Sequence, residues 1–277
     1  MRRLTARRGT RREWLAYVLG LPLALLTLAP FIYMVATALL GEGGTLGRAH
    51  PESFAAALAA APFGRLFLNS AIFSVAVALG QVLTSATAAY AFARLRFAGR
   101  DRLFVAYLWT LMIPAVLLLV PRFLLISAFG WVDSYQGLIS TELVSVGGIF
   151  LLRQFFVAIP RDLEDAARLE GAGEWTIFWR VVLPLCRPAL ATLVVLAVAD
   201  QWKSFFWPLV ATRSPDMQVL EVGIATLHGA YDLNWPYRMA AATTAVIPLL
   251  ILYLVAQKHF IRGIELTSPK ANRPGQY

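Results

Sequence analysis

The chain has 277 residues, 58% of them hydrophobic and only 15% charged, with a mean hydropathy of +0.63. Soluble domains are roughly 45–50% apolar and about 25% charged, so a water-soluble globule is excluded, and so is a disordered chain, which needs few apolar residues. The single cysteine, Cys186, excludes a disulfide scaffold. The net charge of +9 would suit nucleic acid. Its distribution does not, because the charges sit in short clusters between long apolar runs. No nucleic-acid partner is expected, and membrane lipid is the expected surrounding.

A helix needs about 20 mostly apolar residues to cross a bilayer. Such runs fall at 14–40, 66–92, 103–127, 135–157, 189–210 and 239–257. The expected fold is therefore all-α: a polytopic membrane protein with six transmembrane helices. The fourth run is the weakest, since it carries Glu142, Arg153 and Gln154. It is kept as a span because its removal would put the basic loops on opposite sides.

Those loops set the orientation. Most Lys and Arg residues fall in four places: Arg2 to Arg12, Arg94 to Arg102, Arg153 to Arg187, and the tail from Lys258 to Arg273. Both termini are expected in the cytoplasm. The expected organisation is a basic amino terminus at 1–13, a six-helix domain at 14–260 and a tail at 261–277. The pair Arg11-Arg12 before an apolar run imitates a twin-arginine export signal. The run is too long for a signal core and five more follow, so it is read as a retained helix.

The second run is rich in small residues, from Ala71 through Gly80 to Ala89, and the sixth opens on Ala240, Ala241 and Ala242. Small side chains let helix backbones approach where lipid supplies no hydrophobic drive. Both helices are expected inside the bundle. Pro114 and Pro248 are expected to kink the third and sixth.

Catalytic patterns are missing. The lysines Lys203, Lys258 and Lys270 follow no phosphate-binding glycine loop, and His50, His228 and His259 form no metal pattern. Cys186 is read as an inert structural thiol. The chain is expected to be no enzyme and to bind no cofactor.

The most informative segment joins the fourth and fifth runs, at 158–188. It reads as two short helices around a glycine turn. Pro160 suits a first helical position, and Asp162, Glu164 and Asp165 complement the positive end of the helix. Ala166 and Ala167 favour helix and let another surface approach. Glu170 precedes Gly171 and Gly173, which close the helix and turn the chain. Apolar residues resume at Trp175 and Ile177, and Pro184 is expected to stop the second helix. Such a knob is built to dock.

This segment resembles the permease subunits of binding-protein-dependent ABC importers. Their signature is Glu-Ala-Ala, three residues, Gly, nine residues, then Ile-x-Leu-Pro. Here Asp165-Ala166-Ala167, Gly171 and Val181-Val182-Leu183-Pro184 fit that register, with Asp for Glu and Val for Ile. Asn69-Ser70, the stretch from Ala89 to Arg94, that from Phe150 to Phe156, and Trp202 with Phe205 and Trp207-Pro208 resemble the carbohydrate-uptake branch and its second-permease type. So does the run from Gln257 to Gly263. Lys203 departs from that pattern, where Asn is usual, and Thr267 replaces a usual glycine.

The resemblance implies a heterodimer with a second permease, two copies of an ATP-binding subunit and an external solute-binding protein. ATP and Mg would sit on the partner subunits. The imported solute would be a sugar or a sugar-like compound. Glu164, Asp165, Ala166, Ala167, Glu170, Gly171, Leu183 and Pro184 would form the coupling contact with the ATPase, making the knob a cytoplasmic coupling helix. The stretches 41–65 and 211–237 would receive the loaded binding protein.

Solute contacts are sought among polar groups inside spans, which are costly there. Asp200 and Lys203, three apart, share a helix face and can pair. Either they line a polar pathway with Gln201 and Trp202, or they form a structural ion pair against the neighbouring permease. Gln81 is a further pathway candidate, and it and Glu142 also read as helix–helix hydrogen-bonding groups. Trp202 and Trp207 are candidate sugar platforms, and interfacial anchoring explains Trp207 equally well. A permease for a polyamine or a phosphate ester, and an ion-coupled secondary transporter, are the alternative readings.

Overall fold

A computed structural model of the protein describes residues 11–40, 52–230 and 235–267. The basic cluster from Arg2 to Arg8, the loop around His50 and the tail beyond Thr267 lie outside the described residues. Every regular element among those described is helical. The chain divides into two compact units, Met1–Ala61 with Leu227–Ala245, and Pro62–Thr226 with Val246–Tyr277.

The first unit holds α1 (Arg11–Leu40) and α2 (Glu52–Ala59). The second runs through α3 (Phe63–Arg94), α4 (Arg100–Trp109), α5 (Leu119–Ala128), α6 (Tyr135–Ser140), α7 (Val146–Ala158) and α8 (Asp162–Leu169). It continues through α9 (Glu174–Ile177), α10 (Leu183–Leu185), α11 (Arg187–Trp202) and α12 (Phe206–Ala211) into α13 (Leu220–Ala230), whose last four residues belong to the first unit. The last helix, α14 (Trp235–Thr267), begins in the first unit and ends in the second.

Among the described residues three helices are long and apolar enough to cross a membrane: 17–40 within α1, all of α3, and 235–257 within α14. They correspond to the first, second and sixth runs. The middle runs depart from single straight helices. The third breaks at Ile113-Pro114, where its halves, each ending in or starting from a 3₁₀ turn, bend by 95°. Proline lacks an N–H and pushes the residue before it out of helical conformation, and Ile113 is extended at ψ 116°. Pro248, by contrast, stays inside α14.

The fourth run is two helices, α6 and α7, and the 13 residues of α7 fall short of a crossing on their own. Ser134 and Ser145 each cap a helix, accepting the backbone N–H of Gly137 and Gly148. In the fifth region Glu174–Leu185 and Arg187–Trp202 bend by 78° around Cys186. Pro184 does not end the second short helix, which runs on to Leu185. The chain instead opens into a π turn at Phe178–Val182, ahead of a proline that cannot donate to the carbonyl four residues back.

The small and polar residues of α3 explain how a broken fourth region packs. Gln81 Nε2 donates to the Glu142 carbonyl (2.8 Å) and Thr84 Oγ1 to that of Leu143 (2.7 Å), satisfying the linker between α6 and α7. Irregular backbone in a membrane protein survives only where such partners exist. Beside this linker, a side chain on Gly148 would meet Ser85 Oγ at 2.7 Å and Leu193 at 3.0 Å, so glycine sets the approach of α7 to α3 and α11. At the opposite end of α3, Asn69 Nδ2 donates to the carbonyls of Asp216 (2.8 Å) and Gln218 (2.7 Å), and its Oδ1 accepts the Tyr135 hydroxyl (2.6 Å). Ser70 Oγ accepts the Leu220 N–H (2.8 Å).

Asp133 fastens the turn after α5. It sits at a positive φ of 60°, and its Oδ1 accepts the N–H groups of Arg213 (2.8 Å) and Ser214 (3.0 Å). Partial burial pushes its carboxyl up, but these backbone donors outweigh that and hold it below its ordinary value. The resulting stability is present above the unfolded value, near pH 4, and is lost as pH falls through the lower folded value. Asp133→Ala is expected to cost about 1–2 kcal/mol at pH 7. It should also flatten the acid-range dependence, which thermal unfolding at pH 7 and pH 3 would read.

Candidate functional site

The glycine turn forms as its residues dictate. Gly171 has φ +85°, its N–H bonds the Arg168 carbonyl (3.0 Å), and that of Ala172 bonds the Ala167 carbonyl (3.0 Å). This is a Schellman closure of α8, which needs the left-handed conformation glycine accepts without cost. Pro160 lies two residues before the helix rather than at its first position. Asp165, Ala166, Glu170 and Gly171 are exposed, and Leu169 is 91% exposed.

Glu164 faces the other way. It is 2% exposed and forms an ion pair with Arg94, the last residue of α3, with Nε to Oε1 at 2.8 Å. Arg94 Nη2 also donates to the carbonyls of Phe156 (2.5 Å) and Ile159 (2.7 Å) at the end of α7. One guanidinium thus ties together α3, α7 and α8. Arg168 extends the network, donating to Asp165 Oδ1 (2.8 Å) and to Glu174 Oε1 (3.0 Å), while the Tyr90 hydroxyl of α3 donates to Glu174 Oε2 (2.7 Å).

One correction to the sequence reading follows. Glu164 belongs to the anchoring of α8 and not to its outer surface. Asp165 pairs with Arg168 within its own helix and stays exposed. Leu183 and Pro184 are only partly exposed, and Leu183 packs on the core formed by Tyr90, Leu152, Phe156 and Phe178. Cys186 is buried, and burial pushes its thiol up to about 11, so it stays protonated and inert.

The solute candidates separate. Asp200 and Lys203 do pair, at 3.1 Å, with both side chains exposed. Gln201 and Trp202 are buried, the latter 5.9 Å from the Phe67 ring, so the four residues do not share one surface. Gln81 is buried and donates to the Glu142 carbonyl, the helix–helix contact of its other reading. Trp207 is also buried. Its Nε1 donates to the Leu138 carbonyl (2.9 Å) and its ring face is covered by the Arg122 guanidinium at 4.0 Å. Neither tryptophan is free to stack on a sugar.

Asp200 and Lys203 instead open onto a cleft of about 420 Å³ that also holds Arg122, Glu142 and Phe206. Arg122 is ion-paired with Glu142 and donates to Thr141 Oγ1 (2.9 Å). Phe206 is 62% exposed. Among the described residues no group of three or more His, Cys, Asp or Glu side chains is placed to hold a metal.

Residues 81–266 match the family described as the binding-protein-dependent transport system inner membrane component. The chain belongs to that family. The permease is 35% identical over 204 residues, 74% of this chain and 73% of the relative, to the arabinooligosaccharides transport system permease protein AraQ of Halalkalibacterium halodurans. It is 35% identical over 206 residues, 73% of each chain, to the sn-glycerol-3-phosphate transport system permease protein UgpE of Yersinia pestis. It superimposes with a TM-score of 0.81, at 25% identity, on a chain from the crystal structure of a bacterial ABC transporter involved in the import of the acidic polysaccharide alginate. That likeness covers 94% of the permease and 100% of the other chain.

As a permease it is an inner-membrane transport subunit, not an enzyme. Sequence reasoning missed Arg94 and Arg122 as site residues of the permease. Arg94 stood in a quoted motif, and its place one residue short of a polar loop was the available signal. Arg122, a charge inside an apolar run, was the signal for the cleft.

Proposed function

We propose that this permease imports a sugar or sugar-like solute as one half of a heterodimer, driven by two copies of an ATP-binding subunit that grip α8 from the cytoplasm. A binding protein delivers the solute to the outer face. The relatives that transport arabinooligosaccharides, sn-glycerol 3-phosphate and alginate support this substrate class. ATP and Mg²⁺ belong to the partner subunits.

One observation carries the mechanism. The outer face of α8 presents Ala166 and Leu169, while its inner face is bolted through Glu164 and Arg94 to the ends of α3 and α7. A push on the exposed face therefore moves helices rather than a loose loop. ATP-driven closure of the partners biases a two-state element at a distance. In this reading the chain crosses the membrane six times, with both termini cytoplasmic. The bent pair α4–α5 supplies the third crossing, α6 with α7 the fourth, and α11 with α12 the fifth.

The test is co-purification followed by uptake. The permease should bring down an ATP-binding subunit, and proteoliposomes holding the assembled complex and its binding protein should accumulate labelled oligosaccharide only with ATP inside. Ion-driven uptake by the isolated chain would instead establish a secondary transporter.

A further inference from the structure

The cleft at the end of α11 bears on which sugars pass, an inference that rests on the import reading above. Its ionisable groups are two cations and two anions, already matched: Arg122 with Glu142, and Lys203 with Asp200. Around them lie the exposed Phe206 ring and the buried edge of Trp207. We propose that this cleft contacts the solute and favours uncharged polyhydroxy compounds over phosphate esters and uronates.

The charges decide it. An anion entering here meets no unmatched cation among the described lining residues. Each cation it could approach is already neutralised by a carboxylate, and it would face Glu142 and Asp200 as like charges, which costs more as the surroundings become less polar. A neutral hydroxyl-rich solute breaks neither pair. The Lys203 ammonium has three donors and spends one on Asp200, and a carboxylate has several acceptor sites, so both can serve hydroxyls as they stand. Phe206 offers an apolar face to the C–H side of a sugar ring, a role the covered Trp207 cannot fill. The volume, about 420 Å³, lies within the range of small-molecule sites.

The experiment measures equilibrium binding of labelled probes to the purified complex of the permease with its partner subunits. The binding protein is omitted, so the preference read is that of the membrane subunits. The probes are maltotriose, arabinotriose, trigalacturonate and sn-glycerol 3-phosphate. At least one neutral trisaccharide should bind about tenfold or more tighter than either anion. Asp200→Asn, which frees the Lys203 charge, should raise trigalacturonate affinity about fivefold, the value of one screened charge contact. Phe206→Ala, at an exposed position where folding is not at stake, should weaken the neutral probe about fivefold.

Anions bound as tightly as the neutral probes would overturn the selectivity. Binding that neither variant alters, or no binding of either trisaccharide while ATP-driven sugar uptake persists, would overturn the cleft as a solute contact and leave the import reading standing. Absence of sugar uptake itself would remove the reading beneath it.

Discussion

Replacing Glu164 by alanine is expected to remove about 3–5 kcal/mol of stability, because it leaves the Arg94 charge buried without its counter-charge. In the purified protein this should lower the unfolding temperature by about 10 °C. The double variant Arg94→Met/Glu164→Leu should recover only part of the loss. It removes the unpaired charge, but it also strips the Phe156 and Ile159 carbonyls of their donor, and each buried orphan costs about 1–3 kcal/mol. The partially recovered protein is the informative one. If α8 transmits force through this pair, the double variant should fold, bind its ATP-binding partner and hydrolyse ATP with weakened transport. An unfolding temperature unchanged by Glu164→Ala would show that the pair contributes nothing.

Gly171→Arg is expected to abolish association with the ATP-binding subunit and to cut ATP-driven uptake by more than tenfold while leaving membrane insertion intact. Two effects must be separated. The left-handed backbone at φ +85° penalises any side chain, by about 1 kcal/mol. A Cβ there meets nothing within 4 Å, so there is no packing cost. Gly171→Ala therefore carries the backbone penalty alone and should retain uptake within a few fold. Arginine adds a long cation beside α8, on the surface where the partner is proposed to sit. Equal losses from both substitutions would assign the effect to the turn and not to docking.

The long helices were legible because apolarity over twenty or more residues leaves few other structures for the backbone in lipid. Gly171 was legible for a similarly local reason: a helix followed by glycine closes in one common way. The Asp200–Lys203 pair followed from helical spacing alone. What escaped was settled by residues far apart in the chain. The run at 135–157 is equally apolar as one helix or two, and the break rests on the Ser145 cap and on Gln81 and Thr84 sixty residues earlier. Pro114 signalled a kink but not a 95° bend. Glu164 fits a helix amino terminus whether it faces outward or inward, and only its partner, 70 residues earlier in α3, decides. The tryptophans misled because composition does not tell a covered ring from an open one.

The central claim, that α8 is gripped by an ATP-binding subunit in the cytoplasm, has a direct test at Leu169, 91% exposed at the end of that helix. The thiol introduced by Leu169→Cys faces no competition from Cys186, which is buried and protonated. In the assembled importer it should crosslink to an ATP-binding subunit through a short bifunctional reagent, with a yield that changes when ATP is added. Reaction with a membrane-impermeant thiol reagent applied from outside the cell, with no crosslink in an active complex, would contradict the account.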